Sequence, residues 1–298
     1  MRCLVIGYGS AGQRHARILK ALGHEVAVVS RRGGQQYTDI FAALADYRPD
    51  YAVVASKTGD HSQDMMQLHG GVSHVLVEKP VFNEPHVFSC PFSFEVAVGY
   101  NLRFHPVVRA LRERIADREL YTAQFHVGQW LPDWRPGRDY RATDVNGVLR
   151  DLSHELDLML WLCGWPTKLQ ALCGKATGLD IDCEDNAMVI CQTERCPSTA
   201  VSANYIDRAP RRWIHINYDG GSLEADLIGN TLTEIGPGDQ RTTEQFHVDK
   251  DDTYIAMHRA MIEGVDADLL CSLDEGLRVV NLIALIESCK DVHYERAA

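Results

Sequence analysis

The sequence predicts an α/β protein: a doubly wound parallel sheet is followed by an α+β region with an open, mostly antiparallel sheet. Two observations carry this prediction. The first hundred residues alternate short apolar runs with helical stretches, which is typical of parallel strands covered by helices on both faces. After residue 115, strand-like segments follow one another with short turns and few helices. We therefore predict one domain at 1–115 and a second at 116–298.

Five apolar runs in the first domain predict strands, because each is about as long as a buried strand and shows no alternation. Three segments between them carry apolar residues at helical spacing. Right-handed connections between parallel strands then produce a doubly wound sheet. Pro85 and Pro91 predict that the last crossover is reduced to a turn. The predicted strands are 3–6, 26–29, 51–55, 74–77 and 94–98, and the predicted helices are 11–22, 37–47 and 61–69.

The second domain is predicted to be a sheet with helices on one face. We expect a ligand in the cleft between the two domains, beyond the carboxyl ends of the parallel strands. Because an open sheet face is often buried between subunits, we expect a homodimer or homotetramer. The last helix is a candidate to pack back toward the first domain. The predicted strands are 120–129, 169–174, 187–192, 199–206, 213–218, 222–227 and 245–248, and the predicted helices are 151–163, 253–263 and 273–291.

Composition excludes several classes of partner. The formal net charge of -11 argues against nucleic acid or an anionic membrane, because phosphates repel such a surface. No run approaches the ~20 apolar residues that span a bilayer, and the apolar run at 3–6 is too short for a signal peptide. We expect a cytoplasmic protein. The 9 cysteines contain no C-x-x-C pair, so neither a disulfide framework nor a metal site is predicted.

A glycine-rich turn predicts a dinucleotide site of the Rossmann type. It follows the first strand and opens the first helix, which is the context that makes a G-x-G-x-x-G pattern informative. The first glycine permits a tight turn, the second lets the backbone approach a pyrophosphate, and the third lets helix and strand pack closely. The phosphate charge then meets the positive end of the helix. The turn consists of Gly7, Tyr8, Gly9, Ser10, Ala11 and Gly12.

The end of the second strand favours NADP over NAD. Ser30 lies 18 residues after Gly12, about where an NAD enzyme places an acid on the ribose 2′-hydroxyl. No acid is present. Ser30, Arg31 and Arg32 offer a hydroxyl and two cations, which suit a 2′-phosphate. NAD stays an alternative, and so does a solvated basic turn.

Several segments together resemble the glucose–fructose oxidoreductase / inositol dehydrogenase (Gfo/Idh/MocA) family. Glu78-Lys79-Pro80, directly after the fourth strand, is the most specific of them. The glycine turn, the Thr58-x-x-His61 pair and the segments 99–106 and 147–157 follow the family's order, so the resemblance covers nearly the whole chain. It implies hydride transfer between a nicotinamide and a sugar-like hydroxyl or carbonyl.

The resemblance implies two catalytic side chains. Lys79 is expected to hydrogen-bond the reacting oxygen and to stabilise a developing alkoxide. His154 is expected to take the hydroxyl proton, oriented by a carboxylate. Asp157 keeps the family's offset from this histidine, whereas Asp151 precedes it by three residues and not by four. Either aspartate therefore remains a candidate partner.

Helical periodicity gives a second view of this region. The apolar residues of the predicted helix 151–163 fall within a ~60° arc, and His154 lies almost opposite them. The three polar residues Asp151, His154 and Asp157 are therefore predicted to line one polar face. A histidine on a solvated face is the alternative interpretation.

Further cofactor contacts are expected at the ends of the strands. They involve Asn101 after the fifth strand and Thr58 after the third, although helix capping also explains Thr58. The predicted cofactor set therefore adds Ser56, Thr58, His61, Glu78, Lys79, Pro80 and Asn101 to the residues above.

Two patches of aromatic and arginine residues in the second domain predict a substrate site. Tryptophan faces stack on sugars, and arginines hold carboxylates or phosphates. An acidic or nucleotide-linked sugar is the predicted substrate, and the segments 131–136 and 205–212 look like family members from surface-sugar pathways. A subunit interface or a solvated strand face is the alternative. The candidate substrate residues are Trp134, Arg135, Tyr205 and Arg208, with Trp130, Arg211 and Arg212 nearby.

The sequence thus predicts an NAD(P)-dependent dehydrogenase or reductase for a sugar-like substrate. Two alternatives remain. One is a redox-neutral elimination of a glycosidic substituent that uses a tightly held nicotinamide. The other is a non-catalytic dinucleotide sensor, which the presence of Lys79 and His154 disfavours.

Overall fold

A computed structural model describes residues 1–86, 92–137 and 146–289. In chain order its elements are β1 (Arg2–Ile6), α1 (Ser10–Ala21), β2 (Glu25–Val29), α2 (Ile40–Tyr47), β3 (Tyr51–Val54), α3 (His61–Gln67), β4 (His74–Val77), β5 (Glu95–Val98), α4 (Pro106–Ile115), β6 (Leu120–Gly128), α5 (Leu131–Trp134), α6 (Val148–Asp151), α7 (His154–Cys163), β7 (Pro166–Gly174), β8 (Asn186–Thr193), β9 (Thr199–Asn204), β10 (Arg211–Tyr218), β11 (Gly221–Asp226), β12 (Thr231–Gly236), β13 (Gln240–Gln245), α8 (Asp252–Glu263), β14 (Cys271–Ser272) and α9 (Leu273–Ser288). Short 3-10 turns lie at Thr58–Asp60, Asn101–Phe104 and Ala267–Leu269.

Within the described ranges, no helix is long and apolar enough to cross a membrane.

The chain divides into two compact units. Unit 1 contains Met1–Phe104 and Asp249–Asn281, and unit 2 contains His105–Val248 and, of the described residues, 282–289. These ranges differ from the predicted domains in two places. Helix α4 belongs to unit 2, and the segment Asp249–Asn281 belongs to unit 1.

Unit 1 is built on a sheet with the order β14-β5-β4-β3-β1-β2, counted over the residues that the structure describes. All neighbours are parallel except β14, which runs antiparallel to β5. The middle strands are fully buried, as at Leu4, Val53 and Leu76, because helices cover both faces of a parallel sheet. The predicted doubly wound sheet and its five strands are confirmed.

The return of Asp249–Asn281 to unit 1 depends on contacts that local patterns do not reveal. The two-residue strand β14 pairs with the end of β5, with Cys271 opposite Val98. In α9, a side chain at Gly276 would place its Cβ 2.5 Å from a methyl of Val98, so only glycine allows this close approach. Glu275 of the same helix pairs with buried Arg103 at 2.9 Å.

Unit 2 is built on a sheet with the order β13-β12-β11-β10-β6-β9-β8-β7 among the described residues. Its neighbours are antiparallel except β6 and β9, which are parallel. The residues of β8 alternate between buried (Ala187, Val189) and exposed (Met188, Ile190). Helices α4, α6 and α7 pack against this sheet. The predicted mostly antiparallel sheet is confirmed.

One predicted strand of unit 2 is wrong, and several elements of this unit, strand β12 among them, were not predicted. The strand predicted at 245–248 overlaps β13 only at Gln245. Strand β13 was missed because it consists of exposed polar residues, and apolar periodicity cannot identify it. Helix α4, which starts at Pro106, was also missed. The predicted final helix agrees with α9 up to Ser288, and its residues 290 and 291 lie outside the described residues, as does Pro91 of the predicted crossover turn.

The predicted single helix at 151–163 is also wrong. The structure has two helices, α6 and α7, which are separated by Leu152 and Ser153. The predicted polar face is not solvated, because His154 and Asp157 are only 9% and 1% exposed. The polar face lies inside unit 2, where Glu155, 2% exposed, pairs with Arg212 at 2.8 Å. Such pairing offsets the cost of burying a charge.

Candidate functional site

The glycine turn requires glycine at its first and last positions. Gly7 has a φ of +91°, and a Cβ there would lie 2.5 Å from the carbonyl oxygen of Ala55. A Cβ at Gly12 would lie 2.1 Å from the carbonyl oxygen of Gly7. The turn therefore packs its backbone against the end of β3 and against the start of α1. This local structure agrees with the roles predicted for the two glycines.

The middle glycine differs, and it provides the test of whether a dinucleotide fits. A Cβ at Gly9 would meet no protein atom within 4 Å, so the protein itself does not require glycine at this position. Gly9 is the N-cap of α1, which has no side-chain cap and no acidic residue in its first turn. Tyr8, Gly9 and Ser10 are exposed, and Ala11 is half-buried. The positive end of α1 is thus open to an anion, as a pyrophosphate requires.

The four parallel strands that follow one another in the sheet bring further predicted residues to the same edge. Carboxyl ends of parallel strands lie together. The turn after β1, Ser56 and Thr58 after β3, Lys79 after β4 and Asn101 after β5 therefore share one edge of unit 1. Asn101 is buried there and donates a hydrogen bond of 2.6 Å to Thr253 of α8.

The arginines after β2 have different surroundings. The guanidinium of Arg31 forms an ion pair with Asp64, a fully buried carboxylate of α3 that also accepts a hydrogen bond of 2.6 Å from Ser56. The hydrogen bond with Asp64 raises the pKa of Arg31. The side chain of Arg31 is 45% exposed and Arg32 is exposed, whereas Ser30 is buried.

His61 contacts backbone carbonyl groups. Its Nδ1 lies 3.0 Å from the oxygen of Val81, and its Nε2 lies 3.3 Å from the oxygen of Ser56. Burial lowers its pKa. The ring therefore connects the loop after β3 to the loop after Pro80. Thr58, three residues earlier, is half-buried and begins a 3-10 turn.

The loop after β4 holds Lys79 between two constrained neighbours. The Lys79–Pro80 peptide bond is cis, Pro80 is buried, and Lys79 is half-buried. Glu78 accepts a hydrogen bond from His15 at 2.8 Å with one oxygen, and one of 3.1 Å from the backbone N–H of Lys79 with the other. Burial raises the pKa of Glu78, but the hydrogen bond with His15 and the nearby charges outweigh it and hold the pKa below its ordinary value.

In unit 2, Asp151 has partners far away in sequence. Its Oδ2 atom accepts hydrogen bonds from the hydroxyl of Tyr205 at 2.8 Å and from Arg135 at 2.9 Å. Asp151 ends α6, whereas His154 begins α7. Asp157 lies in the first turn of α7 with His154, and both are buried.

The two predicted aromatic and arginine patches meet around the same loop of unit 2. Arg135 lies over the ring of Trp134 at 4.3 Å, and the Trp134 and Tyr205 ring centroids are 6.1 Å apart. Arg208 lies over Trp130 at 3.7 Å. Trp134 is 39% exposed, whereas Tyr205 is fully buried. Only part of the predicted set therefore faces solvent within unit 2.

Sequence reasoning missed three residues that lie behind the loop containing Lys79. One contacts Glu78 of this loop, and the other two follow it in a row of hydrogen bonds. They are His15 in α1, His258 in α8 and Tyr51 in β3, all fully buried. His15 occupies the buried face of α1 with Gly12 and Leu19, and this spacing was a detectable signal of a buried histidine.

The described residues contain no group of three or more His, Cys, Asp or Glu side chains placed to hold a metal ion.

The fold and the glycine turn define an NAD-binding oxidoreductase. Residues 1–89 match the model of the oxidoreductase family with an NAD-binding Rossmann fold, and residues 108–224 match that of the GFO/IDH/MocA C-terminal domain. The chain belongs to the Gfo/Idh/MocA family, and it is a dehydrogenase or reductase. The predicted family and enzyme class are confirmed. No curated protein matches the sequence.

Solved structures similar to the chain include several sugar dehydrogenases. UDP-N-acetylglucosamine 3-dehydrogenase GnnA from Acidithiobacillus ferrooxidans is 20% identical over 98% of both chains, with a TM-score of 0.80. Levoglucosan dehydrogenase in complex with NADH is 16% identical over 97% of this chain and 96% of that one, with a TM-score of 0.80. An oxidoreductase from Agrobacterium radiobacter in complex with NAD+, L-tartaric acid and magnesium is 16% identical over 97% and 96%, with a TM-score of 0.78. At these identities the likeness concerns the fold.

Proposed function

We propose that the protein transfers hydride between a nicotinamide dinucleotide and a secondary alcohol or carbonyl of a sugar-like substrate. The observation that carries this proposal is the edge of unit 1 where the open positive end of α1 and the Lys79 loop lie together. The turn at Gly9 would anchor the cofactor, and the loops at the ends of the neighbouring strands would hold the rest of it. The family membership supports the same reaction.

The glycine turn binds the pyrophosphate, since its backbone amides lie at an uncapped helix start. The residues after β3, β4 and β5 hold the rest of the cofactor, with Thr58 and Asn101 as its polar contacts. When bound, the dinucleotide supplies or accepts the hydride. The protein supplies orientation and charge.

Two side chains act on the substrate oxygen in this proposal. Lys79 donates a hydrogen bond to it and stabilises the alkoxide that develops. His154 accepts the hydroxyl proton during oxidation and returns it during reduction. We assign the orientation of His154 to Asp157, because the two residues share the first turn of α7, whereas Asp151 lies in α6.

The proposed substrate class is a sugar. The names of two similar structures support this part of the proposal, since one is a UDP-N-acetylglucosamine 3-dehydrogenase and the other a levoglucosan dehydrogenase. The exposed ring of Trp134 offers a stacking surface. Arg135 and Arg212 are paired with Asp151 and Glu155, so their charges are already balanced within unit 2. The proposal that the substrate is an acidic or nucleotide-linked sugar from a surface-sugar pathway therefore depends chiefly on Arg208.

NADP is the proposed cofactor, with NAD as the alternative. The support for NADP is that Arg31 and Arg32 are both exposed to some extent after β2. The ion pair between Arg31 and Asp64 weakens this support, since part of the charge is neutralised. Two similar structures carry NADH or NAD+.

We also propose a homo-oligomer that uses the exposed face of the unit 2 sheet. Leu172, Met188 and Ile190 are 43%, 50% and 62% exposed. Leu172 lies directly opposite Met188 in the pairing of β7 with β8, so the three side chains share one face. An apolar cluster of this kind marks an interaction surface.

Fluorescence titration with NADPH and NADH, followed by a screen of neutral polyols, sugar acids and nucleotide sugars, tests the function. In Lys79→Ala and His154→Ala we expect kcat to fall by about 100-fold or more, with the cofactor Kd within about threefold of the wild type. The exposed lysine at the end of α1 provides a matched control, Lys20→Ala, which should keep both values. Full turnover in both site variants would overturn the proposal. A cofactor that copurifies and does not exchange would instead favour the redox-neutral reaction.

A further inference from the structure

Four buried side chains form a continuous hydrogen-bonded chain inside unit 1. The hydroxyl of Tyr51 lies 2.9 Å from Nδ1 of His258, Nε2 of His258 lies 2.9 Å from Nδ1 of His15, and Nε2 of His15 lies 2.8 Å from Oε1 of Glu78. The first three residues are fully buried, and the side chain of Glu78 is 13% exposed. We call this set the histidine chain. It joins β3, α8, α1 and the loop after β4.

The proton positions follow from the charge states of His258 and Glu78. Burial lowers the pKa of His258 well below its ordinary value, so its ring is neutral and carries one N–H. Glu78 is ionised and only accepts. With Glu78 as the one charged group, a single direction of donation gives every group a hydrogen-bond partner. Tyr51 donates to His258, His258 donates to His15, and His15 donates to Glu78.

The carboxylate of Glu78 is therefore held at both oxygens. His15 donates to Oε1, and the backbone N–H of Lys79 donates to Oε2 at 3.1 Å. Gly99 leaves room for this carboxylate, because a Cβ there would lie 3.3 Å from Oε2. Glu78 thus connects the helix that begins at the glycine turn with the loop that carries Lys79.

The end of the histidine chain away from Glu78 is Tyr51, and its position limits what the chain can do. Tyr51 is the first residue of the inner strand β3 and is fully buried, so the chain does not lead to solvent at that end. A hydrogen-bonded chain that ends at a buried hydroxyl offers no outlet for a proton at that end. The effect of the histidine chain is to orient Glu78.

We propose that His15 is a positioning residue for Lys79, acting through the carboxylate of Glu78. This inference rests on the proposed function, since the role of Lys79 at the reacting oxygen belongs to that proposal. Without the donor at His15, the buried carboxylate takes up a proton more readily, because it has lost a hydrogen bond to its charged form. The ammonium of Lys79 then loses a neighbouring negative charge that favours its protonated state.

The test measures the reactivity of Lys79 and needs no substrate. The whole protein is reductively methylated with formaldehyde and sodium cyanoborohydride for a limited time near neutral pH, and the modified peptides are quantified by mass spectrometry. In His15→Leu, we expect Lys79 to react about threefold faster or more, because more of its amine is neutral. The exposed Lys168 of unit 2 serves as the internal control and should keep its rate.

Further variants separate positioning from general destabilisation. His15→Asn retains a polar group toward His258 but is too short to donate to Glu78, so it should behave like His15→Leu and covers the case in which the leucine variant does not fold. His15→Gln keeps a donor toward Glu78 and should stay within about 1.5-fold of the wild-type rate. Glu78→Gln should accelerate the reaction of Lys79, and the double variant with His15→Leu should be no faster, because both changes act through one carboxylate.

Two results would overturn the inference. One is an unchanged rate at Lys79 in both His15→Leu and His15→Asn. The other is a double variant in which the effects of His15→Leu and Glu78→Gln multiply, because independent effects do not pass through one group. Since labelling is measured without substrate, these results are separate from the loss of turnover in Lys79→Ala, which tests the proposed function.

Discussion

The hydroxyl of Tyr205 donates a hydrogen bond of 2.8 Å to Oδ2 of Asp151 in the core of unit 2. The same oxygen accepts a hydrogen bond of 2.9 Å from Arg135. Burial and the nearby carboxylate together raise the pKa of Tyr205 well above its ordinary value, so the phenol stays a donor. The contact joins the end of α6 to the segment after β9.

Loss of this hydroxyl should destabilise the protein. We expect Tyr205→Phe to lower the free energy of unfolding by about 1–3 kcal/mol, because a hydrogen bond to a charged acceptor is lost. The measurement is urea unfolding followed by tryptophan fluorescence. Tyr121 is 47% exposed, and Tyr121→Phe is the control, with an expected change within about 0.5 kcal/mol. Equal effects of the two substitutions would show that the Asp151 contact contributes nothing.

The glycine turn offers a matched pair of substitutions. Gly12→Ala should destabilise unit 1, because its Cβ would lie 2.1 Å from the carbonyl oxygen of Gly7. Gly9→Ala should leave the thermal midpoint nearly unchanged, since no protein atom lies within 4 Å of the new Cβ. It should nevertheless weaken cofactor binding by about 10-fold or more, because the methyl group occupies the space of the pyrophosphate. If Gly9→Ala binds NADPH and NADH like the wild type, the pyrophosphate does not approach this glycine.

Cofactor preference should depend on the arginines after β2. We expect the wild type to bind NADPH more tightly than NADH. Arg31→Ala and Arg32→Ala should each weaken NADPH binding by about 10-fold, because a charge-assisted hydrogen bond to the 2′-phosphate is lost. The Kd for NADH should change little, and the control Lys20→Ala should change neither value. Equal wild-type affinities for the two cofactors would refute the preference for NADP.

Stability should fall on the acidic side of neutrality. Burial lowers the pKa of His61 and His258, and it lowers the pKa of His105 to about 4. The unfolded chain takes up a proton at each of these residues near pH 6.5, whereas the folded chain does not. Their contribution to stability is therefore fully present above about pH 6.5 and is lost as the pH falls toward the folded-state values, by up to about 1.4 kcal/mol per pH unit for each residue.

Urea unfolding at several pH values from about 7 to 5 measures this slope. His105→Gln removes one of the three groups, so its slope should be smaller by up to about 1.4 kcal/mol per pH unit. The exposed His69 provides the control, since His69→Gln should keep the wild-type slope. A slope that is the same in all three proteins would show that His105 does not take up a proton on unfolding.

The exposed apolar cluster on β7 and β8 should drive self-association. Ile190 is its most exposed member at 62%, and Ile190→Glu should shift the sedimentation coefficient toward that of the monomer, because burying an unpaired carboxylate is costly. Val265→Glu is a control in unit 1, where the side chain is 54% exposed. A wild-type protein that sediments as a monomer at all concentrations would exclude the proposed oligomer.

Elements with strong local signals could be predicted from the sequence, and elements with weak ones could not. The five parallel strands of unit 1 consist mainly of apolar runs, and all five were predicted. Strand β13 has no apolar residue, and β14 has only two residues in total. Both strands form because they pair with a neighbouring strand, and the spacing of apolar residues along the sequence does not reveal such pairing.

The same division applies to the candidate site. The amino-acid sequence by itself determined the glycine turn and the Glu78-Lys79-Pro80 loop. The positive φ of Gly7, the contact of Gly12 with Gly7 and the apolar strand before Glu78 are features of short, continuous segments. Only the tertiary structure decided that Asp151 pairs with Tyr205, 54 residues away, and that His15 meets His258, 243 residues away. The physical reason is that a hydrogen bond requires two groups at a set distance and angle. Between distant residues, that geometry depends on how the whole unit packs.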